Sequence, residues 1–254
     1  MKIDVIIPTK NSVKPCWKKC LDSIYNSNIP LNRLIIIDGN STDKTLKIVK
    51  KCPKIKILEG VGNLAEAREL GISLVKTKWF AFIDSDVILP NNWFSEIWKY
   101  RKYGNALESW NWNWNNIRKF QKKKTKNGIS FVTSYRNQSD RARTIATLIE
   151  TKFVKGIKIP RELIVLEDEY IRKFLEKKHG VWIKTGVKVD HYPNKWNLNS
   201  VYLGYLYGKY KLQSFSSILF KALGNMIIKN EPYSCYWKII IGFIKGRLHE
   251  KIYS

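Results

Sequence analysis

Two carboxylates close an apolar run. In "WFAFIDSDVILP", residues 79–90, Asp84 and Asp86 stand two positions apart at the end of a stretch that reads as a buried strand. Charged groups are costly there unless something pairs with them. One reading is a solvated turn closed by Pro90. The other is a grip on a cation, since alternate residues of an extended strand project to one side roughly 6–7 Å apart.

Other chemistry-bearing residues fall in short clusters: Thr9, Lys10 and Asn11; Asp38, Gly39, Ser41 and Asp43; and the acidic knot Glu167-Asp168-Glu169. Acids at a helix start are also ordinary dipole partners. His191, one of three histidines, is either a ligand or an inert loop imidazole. The cysteines, Cys16, Cys20, Cys52 and Cys235, lack paired metal-ligand spacing. Cys16 and Cys20, one helical turn apart, read as half-buried helix residues, and a reducing cytoplasm is the expected compartment.

The elements between these clusters say how they meet. Residues 3–7 read as a buried strand stopped by Pro8, and Ser12 as the N-cap of a helix to about Ile24 with Pro15 in its first turns. Leu34–Ile37 is a second strand, ended by the turn formers "DGNSTD". A helix over Lys44–Lys51, an alternating "KIKIL" strand and a helix over "NLAEARELGISLV", with Leu64, Ala67, Leu70 and Leu74 inward, lead to the strand before Asp84. This β-α-β-α-β-α-β order implies an α/β fold: a mostly parallel central sheet flanked by helices. Ligands of such sheets bind beyond the strands' carboxyl ends, where the first clusters lie.

Past residue 104, "ESWNWNWNN" would put Trp110, Trp112 and Trp114 on one strand face, and "ISFVTS" reads as a short strand. "RELIVLEDEYIRKFLEKKHG" reads as a helix preceded by the acidic knot, and "VWIKTGVKV" as a strand followed by His191. From Asn199 onward Tyr, Leu, Ile and Lys fill helix-length amphipathic stretches interrupted by Gly204, Gly208, Gly224, Gly242 and Gly246. The expected division is an α/β domain over 1–198 and a C-terminal amphipathic helical segment over 199–254.

The net charge is +25, from 46 basic and 21 acidic side chains. Such an excess favours polyanions: nucleic acid, anionic lipid headgroups or phosphorylated substrates. It is spread through the chain, and the Lys122-Lys123-Lys124 run with Lys126 reads as a solvated loop. "MKIDVIIPTK" lacks a signal-peptide core, and no window approaches the ~18–20 apolar residues of a membrane span. Lysines among the late apolar residues match an interfacial element, so an anionic membrane surface is an expected partner.

Taken in order, "DVIIPTKN" (4–11), "IIIDGNSTDKT" (35–45), "GNLAEARELGI" (62–72), "FIDSDVIL" (82–89) and "LEDEY" (166–170) resemble the family 2 glycosyltransferases of the GT-A fold, over residues 3 to about 191. The resemblance implies a metal-dependent, inverting transfer of a sugar from a UDP- or GDP-sugar to a hydroxyl of a glycan or lipid-linked acceptor; the C-terminal segment and the net charge set the expected place in the cytoplasm, peripheral on the inner face of the cell membrane. It implies that Asp86 holds Mn²⁺ or Mg²⁺, with Asp84 facing the ribose or a metal-bound water and His191 completing the coordination or touching the diphosphate. By the same resemblance Asp38 accepts from the base, Pro8, Thr9 and Asn11 form the other pocket wall, and Arg68 faces the nucleotide or Asp84. Asp168 is the implied general base, with Glu167 able to exchange roles with it. Lys10 stands where relatives often carry an aromatic residue.

Rival readings remain. A polyprenyl-phosphate sugar synthase, similar to dolichol-phosphate-mannose synthase, would need little base help, but many carry an acid where this chain has Ser12. A basic nucleic-acid-binding protein would account for the charge but would leave Asp38, Asp84, Asp86 and Asp168 repelling phosphates, so no nucleic-acid partner is expected. A nucleotidyltransferase would need a glycine-rich basic loop after the first strand, which is absent.

Overall fold

Every residue of β1 (Ile3–Thr9) is buried, the signature of a strand covered on both faces. Ile3, Val5 and Ile7 pack with Trp17, Cys20, Leu21 and Ile24 of α1 (Trp17–Asn26), while Ile6 meets Gly71 of α3 (Leu64–Leu74). The computed structural model describes residues 1–111, 117–125, 128–135, 141–192, 200–216, 218–219 and 233–253.

β1 lies between β2 (Leu31–Asp38) and β4 (Trp79–Ile83), and β3 (Ile55–Leu58) pairs outside β2; all these pairings are parallel. Helix α2 (Thr45–Val49) connects β2 to β3. Beyond β4 the sheet becomes mixed. β9 (Ala146–Glu150) runs antiparallel to both β4 and β6 (Ala106–Asn111), and β10 (Trp182–His191) runs parallel to β6. The short β5 (Val87–Ile88) closes the order β3-β2-β1-β4-β9-β6-β10-β5. Helix α4 (Trp93–Trp98) follows β5, α5 (Glu167–Lys177) precedes β10, and β7 (Ile117–Thr125) and β8 (Gly128–Tyr135) form a separate two-stranded sheet. The mostly parallel sheet flanked by helices is the architecture the motif order implies.

The chain divides into two compact units, one of Met1–Arg136 with Ala142–Pro193 and one of Asn137–Arg141 with Asn194–Ser254. The second holds α6 (Ser200–Lys209) and α7 (Tyr233–Tyr253). Among the described residues no helix is long and apolar enough to cross a membrane.

Several local expectations change. Ser12 does not cap α1, which starts at Trp17; its backbone N–H and hydroxyl are taken by Thr45 and Ser85. In α3 the buried face is Ala65, Ala67, Arg68, Gly71 and Ile72, rotated from the Leu64–Leu74 stripe because glycine permits the closest approach to β1. Asp84 and Asp86 lie in a turn between β4 and β5, with the Val87 N–H donating to the Asp84 carbonyl at 3.2 Å, so the spacing of an extended strand does not apply. His191 ends β10 rather than following it, and the acidic knot forms the first turn of its helix rather than preceding it, because that helix begins at Glu167. Cys20 is fully buried and Cys16, just before α1, is buried. Lys122, Lys123 and Lys124 belong to β7, where pairing with β8 supplies their backbone partners; Lys126 and the indole pattern at Trp112 and Trp114 lie outside the described residues.

A buried ion pair fixes the start of the sheet. Asp4 accepts from the Arg33 guanidinium at 3.1 and 2.6 Å, from the Asn32 amide at 2.8 Å and from the Lys76 N–H at 2.8 Å. Burial pushes its carboxyl up, but these donors outweigh burial and hold it below the usual aspartate range. A carboxyl depressed on folding adds stability above its unfolded value, near ~3.9, and loses that contribution as pH falls through the folded value. Asp4→Asn is expected to cost about 2 kcal/mol at neutral pH and to flatten the loss of stability below about pH 4. Urea denaturation across a pH series measures both.

Candidate active site

Parallel β1, β2 and β4 deliver Thr9, Asp38 and Asp84 to one edge of the sheet. The loops there are laced by short hydroxyl side chains. Thr9 Oγ1 donates to Ser12 Oγ at 2.7 Å, Ser12 Oγ donates to Ser85 Oγ at 2.9 Å, and the Ser12 N–H donates to Thr45 Oγ1 at 2.8 Å. Thr9 is therefore 6% exposed, its hydroxyl engaged inside the protein, and Pro8 is buried beside it.

Asp38 is 1% exposed. Its two oxygens accept from the Ser41 N–H at 2.8 Å and the Ser41 hydroxyl at 2.5 Å, which fixes the turn after β2. Exposed Asn11, at φ 49°, joins that turn to the end of β1. Its N–H donates to Ser41 Oγ at 2.9 Å, and its Oδ1 accepts from the Thr42 N–H at 2.8 Å. Lys10, in the place of an aromatic residue, lies along Gly39, where an added Cβ would stand 3.4 Å from its stem.

Asp84 and Asp86 are held by their backbones. The Asp84 N–H donates to Ile145, and the Asp86 carbonyl accepts from the Tyr192 N–H at 3.0 Å. That contact and the antiparallel register of His191 with Val87 bring the imidazole to the turn, with Nε2 3.3 Å from Asp86 Oδ1. One ligand atom each of Asp84, Asp86 and His191 lies within 4.8 Å of the others, and all three residues are half-buried. Two carboxylates with open sides suit hard divalent cations such as Mg²⁺ or Mn²⁺, and an imidazole adds a nitrogen donor. The donor set fits the ion that the resemblance implies.

Arg68 ties this turn to the acidic knot. It stands one helical turn before Gly71, where a Cβ would come within 2.5 Å of Ile6; that close approach seats α3 on β1 and buries Arg68 to 2% exposure. Its guanidinium lies 4.9 Å from the Phe82 ring centre. Nη2 donates to Asp84 Oδ1 at 2.8 Å and Nε to Glu167 Oε1 at 3.1 Å. Burial would favour the neutral base, but Asp84 and Glu167 outweigh it and keep the group charged, with Asp168 adding to the field. Among the described residues none accepts from Nη1.

The three acids of the knot thus separate. Glu167 is bound to Arg68. Glu169, fully buried, accepts from the Ala142 N–H at 2.9 Å and from the Arg172 fork. Asp168, 6% exposed, accepts from the Glu169 N–H at 2.7 Å. Sequence reasoning assigns no site role to Ser12 or Ser85 and gives Ser41 only as one of the polar residues after the second strand. The available signal was a small hydroxyl residue inside or beside three of the motifs.

Arg68→Met would leave Asp84 and Glu167 without their buried counter-charge. The expected loss is about 3–5 kcal/mol, partly recovered in Arg68→Met/Glu167→Gln. A double-mutant cycle by chemical denaturation measures this; additive effects would contradict the coupling.

A model of the family described as "Glycosyl transferase family 2" matches residues 4–159. The poly(ribitol-phosphate) beta-N-acetylglucosaminyltransferase TarP of Staphylococcus aureus is 28% identical over 113 residues, 41% of this chain and 34% of that protein. The chain thus spans about a third of the length of that relative. Among solved structures, S. aureus TarS 1-349 in complex with UDP-GlcNAc superposes with a TM-score of 0.61 at 16% identity, covering 98% of this chain and 73% of the other. The mannosyltransferase PcManGT from Pyrobaculum calidifontis, in complex with GDP-Man and Mn²⁺, does so with a TM-score of 0.62 at 14% identity, covering 98% and 86%. The two structures share the fold, and the family model spans most of the sheet that carries the cluster: this chain belongs to glycosyl transferase family 2.

Proposed function

We propose that this chain transfers a sugar from a nucleoside-diphosphate donor, UDP- or GDP-linked, to a hydroxyl of a glycan or lipid-linked acceptor in one inverting displacement. The observation that carries this reading is the convergence of Asp84, Asp86 and His191, joined through Arg68 to Glu167 at the start of α5. The donors named with TarS and PcManGT, UDP-GlcNAc and GDP-Man, support the donor class.

Asp84, Asp86 and His191 are the residues that would hold Mn²⁺ or Mg²⁺, which when bound offsets the charge gathering on a leaving diphosphate. The chain's own groups do the rest. Asp168 removes the acceptor hydroxyl's proton as its oxygen bonds to the anomeric carbon; the bond from that carbon to the phosphate oxygen breaks, and its electron pair leaves with the diphosphate. Glu167, committed to Arg68, positions rather than exchanges protons. Arg68 Nη1, a buried donor, is available to the nucleotide's phosphates. Pro8, Thr9 and Asn11 shape one pocket wall. Asp38 reads the base through a lone pair left over while Ser41 holds its oxygens. The setting is the cytoplasm, at the inner membrane face when the acceptor is lipid-linked.

With a hydroxyl acceptor, Asp168→Asn is expected to lower kcat by about 10²–10⁴-fold, and Glu167→Gln by much less. Near-normal turnover in Asp168→Asn would point instead to a phosphate-oxygen nucleophile, as a polyprenyl-phosphate sugar synthase uses. Transfer from UDP- and GDP-sugars should stop in EDTA, return with Mn²⁺, and be lost in Asp86→Ala. Undiminished turnover in chelator would remove the cation from the mechanism.

A further inference from the structure

The second unit presents an apolar face that no described residue covers. Trp237, Ile241, Ile244 and Leu248 of α7 are 57%, 47%, 47% and 53% exposed. At about 100° per residue they fall on one narrow stripe, roughly 16 Å long. Their placement is enforced from the opposite side of the helix. A methyl group at Gly204 or Gly208 would collide with the carbonyl oxygens of Ile239 and Phe243, and one at Gly242 or Gly246 with those of Val201 and Tyr205. α6 and α7 therefore run parallel in backbone contact along glycine rows, a separation that larger side chains could not match. With that seam locked, α7 cannot roll its outward stripe into the unit.

Charge decides what the stripe fits. Exposed Lys238 and Lys245 lie on one flank and Arg247, stacked 5.3 Å over the Phe243 ring, on the other. Residues 199–254 carry eight basic and two acidic side chains. A second copy of this face would set lysine against lysine. An anionic bilayer surface would take the apolar stripe at the depth of its headgroups and match both basic flanks.

We infer that the stripe Trp237-Ile241-Ile244-Leu248 is a membrane-docking face, by which the chain lies on anionic lipid without crossing it. The inference stands apart from the catalytic reading. The full chain is expected to co-sediment with phosphatidylcholine vesicles containing phosphatidylglycerol, less so at high salt, and weakly with phosphatidylcholine alone. Ile241→Glu/Ile244→Glu is expected to weaken binding at least ~10-fold, with an unchanged far-ultraviolet circular dichroism spectrum. If that pair disturbs folding, Lys238→Gln/Lys245→Gln gives the same direction with a smaller effect. Three results would overturn the inference: no binding to anionic vesicles at low salt, equal binding by the glutamate variant, or a wild-type dimer that the variant dissolves without any vesicle affinity. Sugar transfer to a water-soluble acceptor should be unaffected by the glutamate pair, so a docking failure and a catalytic failure are separable.

Discussion

The Arg68 guanidinium sets the geometry of the whole edge. It is buried, and a buried cation persists only when its donors find anions at good distances. Here one nitrogen reaches Asp84 and another reaches Glu167, at 2.8 and 3.1 Å. These acids come from distant parts of the chain, one after β4 and one at the start of α5. The ion network therefore works as a caliper: it fixes the turn that carries Asp84 and Asp86 relative to the start of α5. Its seat depends on a missing side chain, because only glycine at position 71 lets α3 lie against Ile6.

Around this network the loops are organised by hydroxyls rather than charges. The Thr9-Ser12-Ser85 chain links the first strand's end to the aspartate turn, and Ser41 occupies both oxygens of Asp38. The hydroxyl-to-hydroxyl contacts are neutral and of ordinary strength, about 1 kcal/mol each, whereas those from Ser41 end on a carboxylate and are stronger. A net charge of +25 coexists with a local concentration of carboxylates at this edge of the sheet.

Much of this was legible in the residues. The buried strands of the first half announced themselves by unbroken apolar runs, and the polar residues at their ends by position, because a parallel sheet collects its carboxyl ends on one edge. The resemblance sets Arg68 against the nucleotide or Asp84, but its burial and its second partner Glu167 were not legible, since the α3 pattern offered a leucine stripe and the decisive residue was a glycine whose effect is visible only against β1. The separation of Glu167, Asp168 and Glu169 into different partnerships was equally hidden: Arg172 and the Ala142 N–H, which claim Glu169, are set by tertiary contacts. Asp84 and Asp86 were read as a strand end because their neighbours are apolar, whereas the backbone turns there. The stripe on α7 was not legible, because apolar residues fall on every side of that helix; only the glycine contacts show which side faces inward.

The most direct test is a crystal of the protein grown with manganese and a nucleoside diphosphate, examined by anomalous scattering. The account predicts a manganese peak among Asp84, Asp86 and His191, with diphosphate oxygens on its open side and Arg68 still spanning Asp84 and Glu167. Nucleotide bound at this edge with no metal peak, and both aspartates turned to solvent, would contradict it.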